Sequence, residues 1–286
     1  MSSPAPTEPA ALKVFGIPEL AHLICAITRK HDNANLMQAC RKLFRSILPF
    51  VWEQVDGPNA LMSMIPGGGV VYHESESGLS PYIVMQLPGS LELSRFNIYA
   101  PHVKRLMLSH IYVDVYDEWR RFHSCTQSVD LLPNLEAIYF PPPHPSKSIS
   151  NDNQVETDAV NWAIAFLSTS LQALVQAPPE VTHSIRATSP LWLDFDSLHN
   201  IMTSIAQKCP RLHSLNILPA QAKPTEPTNR PGLGPLPRIS FWFNSPKTYS
   251  SFFQLGHLTS LLISVVILCP GGLAALSILP KLECLA

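Results

Sequence analysis

One spacing constrains this chain more than any other feature. It is Leu-x-x-Leu-x-Leu with apolar substitutes, and it recurs from residue 103 to the end. The copies are Val103, Leu106 and Leu108; Leu135, Ile138 and Phe140; Leu171 and Leu174; Leu212, Leu215 and Ile217; Leu236, Ile239 and Phe241; Leu258, Leu261 and Ile263; and Leu282 and Leu285. Their starts lie 32, 36, 41, 24, 22 and 24 residues apart. Helical patterns lie between several of them: Val115 to Phe122, Ala159 to Leu167, and Leu198 to Ala206. A short strand and a helix cannot bury their apolar faces alone, so such units stack and share one core. The spacing predicts a mixed α/β solenoid, with parallel strands on the concave side and helices outside.

The alternative is an ordinary α/β domain with a parallel sheet. The repeated opening Pro-x-Leu argues for the solenoid. It stands at Pro133-Asn134-Leu135, Pro210-Arg211-Leu212 and Pro280-Lys281-Leu282. Proline ends a preceding helix, and its fixed φ launches the strand. The first of these stacked units starts at residue 94, with a short helix capped by Ser94.

A different pattern precedes the repeats. From Ile17 to Trp52 the chain reads IPELAHLICAITRKHDNANLMQACRKLFRSILPFVW. Pro18 suits a first helical turn, and Glu19 the positive end of the helix dipole. Leu20, Leu23, Ile24 and Ile27 recur at three- and four-residue spacing. Arg29, Lys30 and His31 fit the end of that helix, and Asp32 the N-cap of a second. Leu36, Cys40, Leu43 and Ile47 form one stripe along the second helix, which Pro49 ends. About 35 residues cannot make a stable domain alone. Both stripes must pack on the rest of the chain, on a partner, or on both.

These residues resemble a known module. Ile17-Pro18-Glu19-Leu20, Leu23-Ile24, Asp32, Leu36 and Ala39-Cys40-Arg41 look like the F-box. The continuation Leu48-Pro49-Phe50-Val51-Trp52-Glu53 resembles the head of many fungal F-box-like proteins with irregular leucine-rich repeats. The likeness covers about 40 of 286 residues. Two positions depart from the pattern: Thr28-Arg29-Lys30 is polar where an apolar residue is usual, and Phe44 replaces a common Trp. The resemblance implies a non-catalytic substrate receptor, docking on a Skp1-type adaptor of a cullin-based ubiquitin ligase. The adaptor-binding residues would be Ile17, Pro18, Leu20, Ile24, Leu36, Cys40, Leu43 and Phe44, and the repeats would hold an unknown target protein. The rival reading is a leucine-rich-repeat scaffold whose helical head is only a cap.

The expected organisation is a disordered tail over 1–12, a head over 13–57, a connecting segment over 58–93 and the repeats over 94–286. Polar, Pro-rich loops are expected at 141–157 and 219–235. Between head and repeats, Ala60 to Ile65 reads as a short helix and Tyr72 to Pro81 as a polar loop. Gly67-Gly68-Gly69 is followed by Val70-Val71, not by the Lys-Ser/Thr of a phosphate-binding loop, so it reads as a plain turn.

Charged residues are only 14% of the chain and the net charge is −1, so no nucleic-acid partner is indicated. Cys25, Cys40, Cys125, Cys209, Cys269 and Cys284 include no CxxC pair, and no metal or other cofactor is indicated. No signal peptide or glycosylation sequon is present, which favours a cytoplasmic or nuclear setting. Leu258 to Leu279 is uncharged and long enough to span a bilayer, but Pro270-Gly271-Gly272 interrupts it, so a membrane partner is not expected.

No residue pattern indicates catalysis. There is no GxSxG elbow and no HExxH, and Asp196 reads as a helix cap rather than as half of a carboxylate pair. His102 and His110 read as solvated. Binding is easier to motivate. Side chains alternate along a strand, so Met107, Tyr139, Asn216 and Trp242 should line the surface opposite the leucines and contact a target. Leu282 and Leu285 should form an uncovered apolar edge that invites another chain.

Overall fold

The computed structural model describes residues 10–74, 82–108, 113, 115–140, 152–176, 192–193, 195–216, 218–219, 254–262, 274 and 276–285. Four helices come first: α1 (Ala10–Val14), α2 (Pro18–Ile27), α3 (Lys30–Ala39) and α4 (Arg41–Trp52). Then follow β1 (Gln54–Asp56), α5 (Asn59–Met62), β2 (Gly69–His73), β3 (Tyr82–Gln86), α6 (Phe96–Tyr99) and a 3₁₀ turn (Ala100–His102). The middle of the chain supplies β4 (Arg105–Met107), β5 (Val115–Asp117), α7 (Trp119–Thr126), β6 (Ala137–Phe140), α8 (Asp152–Phe166) and β7 (Ala173–Gln176). The last described elements are β8 (Trp192–Leu193), α9 (Phe195–Lys208), β9 (Ser214–Asn216), β10 (Leu218–Pro219), β11 (Ser260–Leu262) and β12 (Cys284–Leu285). The chain is thus mixed α/β, with a mostly parallel sheet.

That main sheet has seven strands in the order β1-β4-β6-β7-β9-β11-β12, which is their order along the chain, and every pairing is parallel. The registers align one apolar row: Val55, Leu106, Ile138, Leu174, Leu215, Leu261 and Leu285. All but the last are buried, and Leu285 is 45% exposed. Three residues earlier runs a second row, Val103, Leu135, Leu171, Leu212 and Leu258, also buried. The spacing read from the sequence is therefore the spacing of the core.

Backbone geometry repeats with it. The N–H groups of Lys104 and Arg105 both donate to the Glu53 carbonyl. Glu136 and Ala137 donate to Lys104, Gln172 and Ala173 to Glu136, and His213 and Ser214 to Gln172. Thr259 and Ser260 donate to His213, and Glu283 and Cys284 to Thr259, all at 2.8–3.1 Å. Before each of the strands β4, β6, β7, β9 and β11 lies one turn. In it the N–H of Val103, Leu135, Leu171, Leu212 or Leu258 donates to the carbonyl three residues back. The residue after that carbonyl is Pro101, Pro133, Thr169, Pro210 or Gly256. Proline here fills the second position of a turn, where its φ is already correct. It sits inside that turn, which at Pro101 and Pro210 begins directly after a helix, α6 or α9.

Side chains stitch neighbouring units. Asn134 Nδ2 donates to the Pro101 carbonyl at 2.7 Å, and Ser170 Oγ to the Leu135 carbonyl at 2.8 Å. Asp130 Oδ2 accepts from the Thr169 N–H and hydroxyl, at 3.1 and 2.8 Å. Lys208 Nζ donates to the Thr126 carbonyl at 2.9 Å.

Several expectations are corrected. Ala10 to Leu12 are helical, and Leu12 packs on the head, so the tail does not extend to residue 12. Asp32 lies in the first turn of α3, whose N-cap is Arg29. Pro49 does not end α4, because Val51 is buried in the head and Trp52 lies 4.7 Å from Tyr99. Residues 54–56 belong to the main sheet, not to the head. The span 58–93 is more than a connector: β2 and β3 form an antiparallel pair that β5 joins in parallel. Ser94 caps nothing, since α6 starts at Phe96 behind Arg95. Val115 to Asp117 is strand, because β3 offers an edge that outweighs the helical spacing of Val115, Trp119 and Phe122. Asp196 lies in the first turn of α9 rather than before it, and Asp152 to Thr157 are the start of α8 rather than loop. No strand from the copy at Leu236 stands between β9 and β11, which pair directly. In sequence, Pro237 stands where each described rung of the ladder has the first of its two N–H donors. Residues 236–241 themselves lie outside the described residues, as do 141–151 and 220–235 of the expected loops.

Aromatic rings fill the space where α7 meets α8. Trp119 lies 4.7 Å from Trp162, 5.4 Å from Tyr116 and 5.1 Å from His123. Burial pushes the Tyr116 hydroxyl up to about 12. His123 is held below its ordinary value by burial, with Asn161 opposing and Lys208 reinforcing that shift. His102 is likewise lowered by burial, being half-buried where full solvation was expected. A histidine whose pKa is lower when folded binds protons more readily when unfolded, so stability falls as pH drops through the unfolded value near 6.5. Thermal unfolding between pH 7.5 and 5.5 should show Tm declining below about 6.5. His123→Gln should flatten the decline, leaving the part due to His102.

Candidate functional site

The head is built on a small core. Cys25, Leu43, Ile47 and Val51 are buried, with Phe15, Leu36, Met37, Cys40 and Phe50 packed around them. Helix α2 buries Ala21 and meets α4 through Cys25, and through His22 stacked on Phe50 at 5.5 Å. Burial raises the Cys25 thiol pKa, and it pushes the Cys209 thiol up to about 12, so both stay protonated at neutral pH. Helix α4 then runs into β1 and lays Phe44 and Trp52 on Tyr99. Lys30 Nζ donates to the Gln54 carbonyl at 2.6 Å and pairs with Asp56 at 3.3 Å. An exposed pair of this kind adds little stability, but it fixes α3 beside the edge of the main sheet.

With Ala21 and Cys25 turned inward, the opposite face of α2 has no cover among the described residues. Ile17 is 46% exposed, Leu20 38%, Leu23 60% and Ile27 85%. Ile17, Leu20, Ile24 and Ile27 follow one another at three- and four-residue spacing, so they form one stripe, with Leu23 beside it. Four large exposed apolar residues within eleven positions make a patch, unlike the scattered single ones every surface carries.

The structure divides the eight expected adaptor residues. Ile17, Pro18 and Leu20 are exposed together on the outer side of α2, and Ile24 is half-buried at its border. Leu36, Cys40 and Leu43 belong to the packing of the head's own core. Phe44 faces the body at Tyr99, 6.3 Å away. Leu23 and Ile27, which belong to the apolar stripe read from the sequence but not to the eight expected adaptor residues, are the most exposed members of the patch.

A second surface lies across the main sheet, opposite the leucine row. Met107 pairs with Tyr139, Tyr139 with Val175, and Asn216 with Leu262, so these residues share one row. All five are half-buried. The row beside it is small: Ala137, Ala173, Ser214 and Ser260. Val175 and Leu262 extend the predicted target surface, and Trp242 lies outside the described residues.

Among the described residues, no three of His, Cys, Asp and Glu come together in a way that could hold a metal ion. Within the uncharged stretch Leu258 to Leu279, residues 260–262 are a strand of the main sheet and 263–273 lie outside the described residues. No helix among the described residues is long and apolar enough to cross a membrane. The chain matches no family model, and it has no significant match among curated proteins.

Proposed function

We propose that the protein is a non-catalytic receptor that docks on a Skp1-type adaptor through α2 and offers its main sheet to a target protein. The head is read as an F-box-like module and the sheet with its helices as an irregular leucine-rich-repeat solenoid. The observation that carries this reading is the bare apolar patch of Ile17, Leu20, Leu23 and Ile27, bordered by the half-buried Ile24. Its exposure costs solubility unless a partner covers it. A receptor of this type performs no chemistry; it raises the effective concentration of its target near a tethered enzyme.

The rival reading, a head that only caps the sheet, draws on the tie from Lys30 to the β1 edge and on the packing of Phe44 and Trp52 against Tyr99. A cap explains the inner face of the head and leaves the outer face of α2 without a purpose.

The test is a pull-down of purified Skp1 with the intact chain. Leu20→Asp and Leu23→Asp should each lower retention at least about tenfold, since each would bury an unpaired carboxylate at the interface. Both side chains are exposed in the free chain, so its melting temperature should hold. Equal retention of wild type and both variants, or no retention of wild type, would remove the ligase reading.

A further inference from the structure

The bare stripe poses a physical problem. Helix α2 is ten residues long, and its last turn carries Ile27 into solvent. An isolated helix of that length is marginal, and its end frays first. The last carbonyls need donors, yet the chain leaves the helix at Thr28 and starts α3 at Lys30.

Two residues meet that need. Asn33 is almost wholly buried, and its Nδ2 donates to the Cys25 carbonyl at 2.9 Å. Thr28 Oγ1 lies 2.6 Å from Asn33 Oδ1 and 2.8 Å from the Ile24 carbonyl. The Thr28 N–H also donates to the Ile24 carbonyl, at 3.1 Å. The amide orientation of Asn33 follows from the acceptor: a carbonyl can be met only by the NH₂ side. Oδ1 therefore faces Thr28, whose hydroxyl is the donor. The two side chains form a relay from the start of α3 to the last turn of α2. These groups meet α2 only at main-chain carbonyls, those of Ile24 and Cys25.

We infer that Thr28 and Asn33 are positioning residues for the docking surface, holding the last turn of α2 helical so that Ile27 and Ile24 are presented before any partner arrives. This rests on the docking reading above. Preorganisation lowers the ordering cost of association, so losing it weakens binding without removing a contact.

The experiment uses the full chain as wild type, Thr28→Val and Thr28→Ser. Valine keeps the shape and removes the hydroxyl; serine keeps the hydroxyl. Two quantities are measured: amide hydrogen exchange at Ile27 and Thr28, and calorimetric affinity for Skp1. Thr28→Val should exchange about tenfold faster at these amides and bind about tenfold more weakly, as expected for one lost hydrogen bond. Its main thermal transition should stay in place, and Thr28→Ser should match wild type in both measurements. Wild-type exchange in Thr28→Val would overturn the relay. Weaker binding accompanied by a matching fall in Tm would show a merely structural role and overturn the positioning. Faster exchange in a chain whose wild type never binds Skp1 would sink the docking reading, and the positioning role with it, while leaving the relay as a helix cap.

Discussion

Leu174→Ala should cost about 3–4 kcal/mol of stability, whereas Leu285→Ala, in the same row, should cost under about 0.5 kcal/mol. Leu174 sits on β7, the fourth of seven strands, and is wholly buried. Its row neighbours are Ile138 on β6 and Leu215 on β9. Helices cover the same face, with Phe166 and Ile205 buried in the same core. Truncation leaves a cavity that strands pinned on both sides cannot collapse into, so the cost should approach the upper part of the range. Leu285 is the same residue type at the open end of the row, already nearly half in water. Urea unfolding of the two variants is the measurement. Equal shifts would mean that Leu285 is covered rather than exposed.

The second large effect is expected at Gly68, and it concerns space rather than burial. A Cβ on Gly68 would stand 2.6 Å from the Met62 carbonyl oxygen and 3.3 Å from that of Ile65. Both are backbone atoms in the turn that closes α5, and Gly68 itself donates to Ile65 at 2.9 Å. The clash cannot be relieved by a rotamer change, so Gly68→Ala should cost about 3 kcal/mol, the upper end for overpacking. Gly67 is a useful control. Its φ is 77° and a Cβ would meet nothing within 4 Å, so Gly67→Ala should carry only the left-handed penalty of about 1 kcal/mol. A smaller cost at Gly68 than at Gly67 would contradict this geometry. The three glycines thus form a turn with two different demands, backbone angle at Gly67 and clearance at Gly68.

The sheet was legible in the sequence because its core is written in one residue class at one spacing. Leu135, Leu171, Leu212 and Leu258 announce each unit, and the parallel registers follow. The copy at Leu236 keeps the same apolar spacing, yet β9 and β11 pair directly. Apolar spacing records side chains, while the ladder is made by N–H groups, and Pro237 has none. In the head, the stripe Leu36, Cys40, Leu43 and Ile47 keeps its three- and four-residue spacing through Cys40, where the backbone is extended and α3 gives way to α4. Spacing alone therefore read two helices as one. For Leu23 and Ile27, periodicity told that a face is apolar. Whether anything covers that face depends on contacts made elsewhere in the chain, and no local pattern encodes those. β5 was missed because its decisive partner, β3, lies about 30 residues away.

The doubly accepting carbonyls have an evolutionary corollary. Each rung is fixed by main-chain atoms, and the residues that own those carbonyls are as unlike as Glu53, Lys104, Gln172, His213 and Thr259. The excursions between rungs range from 24 residues, Thr259 to Glu283, to 51, Glu53 to Lys104. A chain that returns to the same spacing after such unequal detours is indifferent to their length. Insertions and deletions can therefore accumulate in the detours, and charge can be rewritten on the rungs, without breaking the register. Two descendants of such a chain could keep the same skeleton while their aligned sequences drift beyond mutual recognition.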